Sequence, residues 1–133
     1  MAHAGYSGKP LAAKLGFKPG WRVGLVDAPA GYPDLVAGAD GVAFLDGDDR
    51  DLDAVHLFLR GGDPIAARAA AAIARLRTGG MLWLSWAKKS SKLHAGITED
   101  DLRTHVLPLG WVDVKVCAVD ADWSGLKFLR RKG

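Results

Sequence analysis

The sequence predicts one open, three-layer α/β domain whose mostly parallel sheet ends in a C-terminal antiparallel strand pair, and three observations carry that prediction. Helix-like and strand-like segments alternate along all 133 residues without repeats or a linker. Two strand-like segments, Ala54–Leu59 and Met81–Trp86, are apolar on both faces, as in the middle of a helix-covered parallel sheet. Near the end, two further strands are separated only by Asp120–Ser124, too short for a parallel crossover, so they pair antiparallel.

Each element has its local reason. A short helix is predicted over Pro10–Leu15, with Leu11 and Leu15 on one face, Pro10 in the first turn and Gly16 as the stop. Lys18-Pro19-Gly20 then turns the chain into a first strand, Arg22–Asp27. The loop Ala28–Pro33 leads to a short helix over Asp34–Ala39 and a second strand over Val42–Leu45. From there the third strand, Ala54–Leu59, lies too few residues away for a helical crossover, so the second is either antiparallel or connected by an extended loop.

A helix follows, capped by Asp63, with Pro64 in its first turn, a stripe of Ile65, Ala69, Ala72, Ile73 and Leu76, and Gly79 as its end. The fourth strand is Met81–Trp86. Thr98, with Asp101 three residues on, starts the last helix, which stops near Pro108 and Gly110. Trp111–Val119 and Gly125–Arg131 form the terminal pair, and Arg130-Arg131-Lys132 suits an exposed edge. The core is predicted from Val55, Leu57, Leu59, Ile73, Leu82 and Leu84.

Composition supports a single core, with 49% apolar and 25% charged residues. Cys117 is the one cysteine and sits in an apolar run, the setting of a buried, inert thiol. The first sixteen residues hold no apolar stretch of signal-peptide length, and no run approaches the ~20 residues that span a bilayer, which predicts a soluble cytoplasmic chain without a membrane partner. Charge is segregated: Asp27–Asp63 holds nine aspartates against Arg50 and Arg60, while Pro64–Lys92 holds six basic residues and no acid. Such a basic region can attract an anion.

Several chemistries are excluded by spacing. In the aspartate run from Asp46 to Asp53 the glycine is at 47 and Leu57 stands where a bidentate glutamate would close a calcium loop. The four histidines are scattered, so no zinc spacing appears; His56 reads as a core histidine with a hydrogen-bond partner. Ser85-Trp86-Ala87-Lys88 spells Ser-x-x-Lys on a strand end, where lysine and serine diverge, and no Gly-x-Ser-x-Gly elbow occurs.

The segments Lys14–Gly20, Gly79–Lys88 and Asp122–Lys127 together resemble the bacterial family called domain of unknown function 3052, over nearly the whole chain. The family name implies no activity. More distantly, the strand pattern and terminal pair look like a shortened class I methyltransferase fold of the Rossmann-like kind. Such folds place a glycine-rich turn after the first strand; Asp27–Pro33 has one glycine and two prolines there, which predicts no useful affinity for S-adenosylmethionine and no cofactor.

In an open α/β sheet, ligands bind beyond the carboxyl ends of the parallel strands. That edge is predicted to carry Tyr32, Arg60, the segment Lys88-Lys89-Ser90-Ser91-Lys92, and Asp122-Trp123-Ser124 in one concave site. Ammonium and hydroxyl groups there suit phosphate or carboxylate, and Tyr32 or Trp123 offers a stacking face. The expected function is a non-catalytic or regulatory module binding a small anionic ligand or a partner protein, with no catalytic residue and no metal. The alternatives are a diverged S-adenosylmethionine-dependent methyltransferase-like enzyme and a weak nucleic-acid binder.

Overall fold

The computed structural model describes residues 11–132. Helix α1, Leu11–Leu15, buries Leu11, Ala12 and Leu15; Pro10, predicted to start it, lies outside the described residues. The other elements are β1 (Arg22–Val26), α2 (Tyr32–Leu35), β2 (Ala43–Leu45), β3 (Leu52–Phe58), α3 (Ile65–Ile73), β4 (Leu76–Ala87), α4 (Glu99–Val106), β5 (Trp111–Ala118) and β6 (Trp123–Arg130). One six-stranded sheet has the order β2-β1-β3-β4-β6-β5. Strands β2, β1, β3 and β4 are parallel, whereas β6 runs antiparallel to both β4 and β5. This is a Rossmann-like α/β fold with an antiparallel C-terminal pair.

The strand side chains alternate between two cores. On one face Val55, Leu57, Leu59, Leu82, Leu84 and Leu126 pack against α3 and α4, with Ile73 partly buried beside them. On the other, Val23, Ala54, Phe58, Trp83 and Trp123 pack against α1, α2 and Phe17. Trp83 Nε1 donates to Leu15 O at 2.9 Å, which satisfies a buried indole and ties α1 to the sheet centre.

Several expectations need correction, among them the second helix, which spans Tyr32–Leu35 and not Asp34–Ala39. Helix α3 ends at Ile73 instead of continuing to Gly79, because Arg75 O accepts from Leu52 N at 3.0 Å and Leu76 pairs with Leu52, which draws the chain into β4; the following residues bulge opposite Asp53 with Gly79 at φ 83°. Asp63 does not cap that helix: its carboxylate accepts from Arg60 N at 2.7 Å and pairs with Arg68. The sheet edge is β5, since β6 is bonded on both sides. In α4 the predicted capping box is present, with Asp101 N donating to Thr98 Oγ1 and Thr98 N to Asp101 Oδ2. Cys117 is half-buried and not buried; burial raises its thiol pKa against the opposing pull of Lys14 and Lys115.

Strand β2 is parallel, and an extended loop connects it to β3 past β1. That loop is held by arginines acting on backbone: Arg75 Nε donates to Asp49 O at 2.9 Å and Nη2 to Gly47 O at 2.6 Å, while Arg22 Nη1 donates to Arg50 O at 2.9 Å. Gly24 of β1 leaves room for the side chains of Leu52 and Arg75, because a Cβ there would stand 2.7 Å from Leu52 Cδ1 and 3.3 Å from Arg75 Nη2. No helix among the described residues is long and apolar enough to cross a membrane.

Candidate functional site

From β1 the chain steps outward to β2 and then returns past β1 to β3, so the strand order reverses at β1. Where parallel strands diverge in this way, a crevice opens beyond their carboxyl ends. A cleft of about 550 Å³ lies beside it, beyond β1 and β2, walled by Asp27, Ala28, Ala30 and Tyr32 from the turn after β1, by Asp46 and Asp48 from the loop after β2, and by Arg75. Asp27 takes a left-handed φ of 57°, making the sharp turn that a glycine usually makes, and a Cβ on Gly31 would meet nothing within 4 Å.

Tyr32 forms the floor of this cleft and does not offer a free stacking face. It is 1% exposed; its hydroxyl and His56 Nδ1 share a 2.8 Å hydrogen bond, and His56 Nε2 meets Ser85 Oγ at 2.6 Å. Burial pushes the His56 pKa down to about 3 and raises that of the Tyr32 phenol, so both groups are neutral. The expected hydrogen-bonded core histidine is therefore present, with partners on two other elements.

A second cavity, of about 210 Å³, opens at the same edge beyond β3 and β4, lined by Leu59, Arg60, Gly61, Ala87, Leu93, Ala95, Ile97 and Trp123. Arg60 reaches from this cavity to the wall of the larger cleft. Its Nη2 donates to Asp27 O at 2.5 Å, and its guanidinium lies 4.9 Å from the Trp123 ring centroid. Trp123 is only 3% exposed, edge-on to Phe58 and covered by Arg60, so it too is not an open stacking platform.

The lysine segment and the β5–β6 turn do meet at one edge, as strand counting predicts. Lys88 N donates to Asp122 O at 2.8 Å, Lys88 Nζ to Asp120 O at 2.7 Å, and Ser91 Oγ to Asp122 Oδ1 at 2.8 Å. Lys88 and Ser91 are thus engaged within the protein, whereas Lys89, Ser90 and Lys92 are exposed and Ser124 sits half-buried in β6. The predicted residues do not share one concavity: Tyr32 lines the larger cleft and Arg60 and Trp123 the smaller cavity, whereas Lys88–Lys92, Asp122 and Ser124 line neither. Sequence reasoning missed Asp46 and Asp48 as cleft residues. The available signal was an acid directly after the second strand, about 20 residues past the first-strand turn, where ribose-binding acids stand in dinucleotide folds. No group of three or more His, Cys, Asp or Glu among the described residues is placed to hold a metal ion.

No protein-family model and no curated protein matches the chain, so the resemblance to domain of unknown function 3052 gains no support. Solved structures do match in fold. An S-adenosylmethionine-dependent methyltransferase from Aquifex aeolicus aligns with a TM-score of 0.63 at 13% identity, covering 90% of this chain and 87% of that one. An S-adenosylmethionine-dependent O-methyltransferase from Thermotoga maritima gives a TM-score of 0.63 at 12% identity, covering 92% and 64%. The [4+2]-cyclase SpnF gives 0.62 at 11%, covering 92% and 79%. The class is therefore a methyltransferase-like Rossmann fold. The expected non-catalytic binding module is corrected by this recurrence of methyltransferases among the fold's neighbours, which favours the alternative enzyme reading.

Proposed function

We propose that the chain is a diverged class I methyltransferase-like domain that binds an S-adenosylmethionine-type ligand in the cleft beyond β1 and β2. The observation that carries the reading is Asp46, directly after β2 and on the wall of a cleft beside the strand-order reversal. Asp46 and Asp48 are acceptors suited to a ribose diol, whereas the Asp27 carboxylate on the same wall is held by Arg68 at 2.6 Å.

The sequence objection to this ligand was the missing glycine turn. The left-handed Asp27, the small side chains of Ala28 and Ala30, and the open space at Gly31 weaken it, since backbone approach needs room and a sharp turn and glycine is one way to provide both. When bound, the ligand supplies an electrophilic methyl group on a sulfonium. The chain's part is to hold the nucleoside with Asp46, while Arg60 reaches from the smaller cavity to the Asp27 carbonyl at the cleft wall.

Calorimetric titration with S-adenosylhomocysteine tests the reading. Saturable binding is expected, weakened tenfold or more by Asp46→Asn, a loss of ~1.4 kcal/mol or more. Absence of binding, or binding unaffected by that substitution, would contradict it.

A further inference from the structure

The smaller cavity has a chemistry of its own, and we infer that it takes a single-ring compound carrying one ionised oxygen group, a carboxylate or phenolate, as methyl acceptor. This deepens the methyltransferase reading and rests on it. Six of its walls are apolar side chains, from Leu59, Ala87, Leu93, Ala95, Ile97 and Trp123. An apolar cavity of ~150 Å³ is enough for benzene, so about 210 Å³ leaves room for one ring and a small substituent. The shape is built in: Gly61 lies so close to Ala95 that a Cβ on it would stand 2.7 Å from the Ala95 Cβ. Leu93 remains 51% exposed although Ser91 Oγ accepts from its N–H at 3.0 Å, and an occupant would cover it.

The charge of the occupant follows from Arg60, the one charged residue among the described residues that line the cavity. A single hydrogen bond to Asp27 O and the stack on Trp123 fix the guanidinium, leaving further donors for an anion. Among the described residues, no histidine or carboxylate side chain lines the cavity. An acceptor that arrives already ionised needs no base from the cavity wall. Its oxygen lone pair forms the new bond to the methyl carbon as the carbon–sulfur bond breaks and leaves its electron pair on sulfur. The oxyanion becomes a neutral ester or ether, the sulfonium a neutral thioether, and no proton moves.

Methyl-labelled protein, titrated with benzoate and with benzyl alcohol at equal ionic strength, with and without S-adenosylhomocysteine, tests this by NMR. Benzoate is expected to shift the methyl signals of Leu93, Ala95 and Ile97 saturably, and benzyl alcohol to bind at least tenfold more weakly. Arg60→Gln should remove that preference, and Arg60→Lys should restore part of it. Equal binding of the alcohol, indifference to Arg60→Gln, or shifts elsewhere would overturn the inference. S-adenosylhomocysteine is read separately at the amides of Ala28, Ala30 and Gly47. If it binds there while benzoate fails, the acceptor inference alone falls; if benzoate binds while it fails, the donor site falls and the acceptor role with it.

Discussion

His56 shows how a single residue joins the fold to the cleft. It stands on β3 with no exposed surface, stacked 4.3 Å from Phe58, and both ring nitrogens find hydroxyl partners. Those partners come from α2 and β4, so one imidazole fixes the turn that walls the larger cleft to the two central strands. Burial makes the charged form costly, and the native pKa of about 3 lies below the ~6.5 expected of the unfolded chain. The unfolded state therefore takes up the proton first, and stability falls as pH drops from 6.5 toward 3. Between pH 7 and pH 5 this amounts to about 2 kcal/mol. Urea titrations at the two pH values check it: the wild type should lose that stability, and His56→Gln should lose markedly less.

Among the elements, the link between β2 and β3 departs most from a regular α/β unit. A helical crossover needs a dozen residues or more, so this shorter loop passes β1 without a helix, and Arg75 holds its carbonyls where a helix would supply packing side chains. Arg75→Ala should lower stability by about 1–2 kcal/mol, less than two fully buried charge-assisted bonds because the group is partly solvated. It should also speed amide exchange from Gly47 to Asp51 and weaken ligand binding by the neighbouring Asp46; unchanged exchange would show that the arginine does not hold the loop. The central strands were legible in the sequence because Ala54–Leu59 and Met81–Trp86 are apolar on both faces, and α4 because its capping box is local. The end of α3 was not, because Leu76 continues the helical stripe and only its pairing with Leu52 draws it into β4. Nor was the division of the site, since Tyr32 and Trp123 have side chains suited to stacking and only tertiary packing buries them.

Across the whole molecule, the segregated charges of the sequence meet in space. Arg68 pairs with Asp27 and Asp63, Arg77 with Asp53, and Arg75 binds carbonyls of the aspartate-rich loop, so half of the basic residues between Pro64 and Lys92 hold that stretch in place. The Asp53 carboxyl is the clearest record of this: burial raises its pKa, and Arg22 N–H and the Arg77 guanidinium more than reverse the effect, leaving it below the usual range. What the fold presents at the carboxyl edge is then a cleft lined by three aspartates and Arg75 and a mostly apolar cavity holding Arg60, with Lys89 and Lys92 exposed beside them. A shared fold does not fix a reaction, as the cyclase among the neighbours illustrates, so the central claim rests on where a ligand binds. The most direct measurement is amide chemical-shift mapping with S-adenosylhomocysteine. Shifts that saturate and concentrate at residues 27–31 and 46–48 are predicted; no saturable shift, or shifts clustered at the opposite edge around Gly20 and Gly79, would contradict the account.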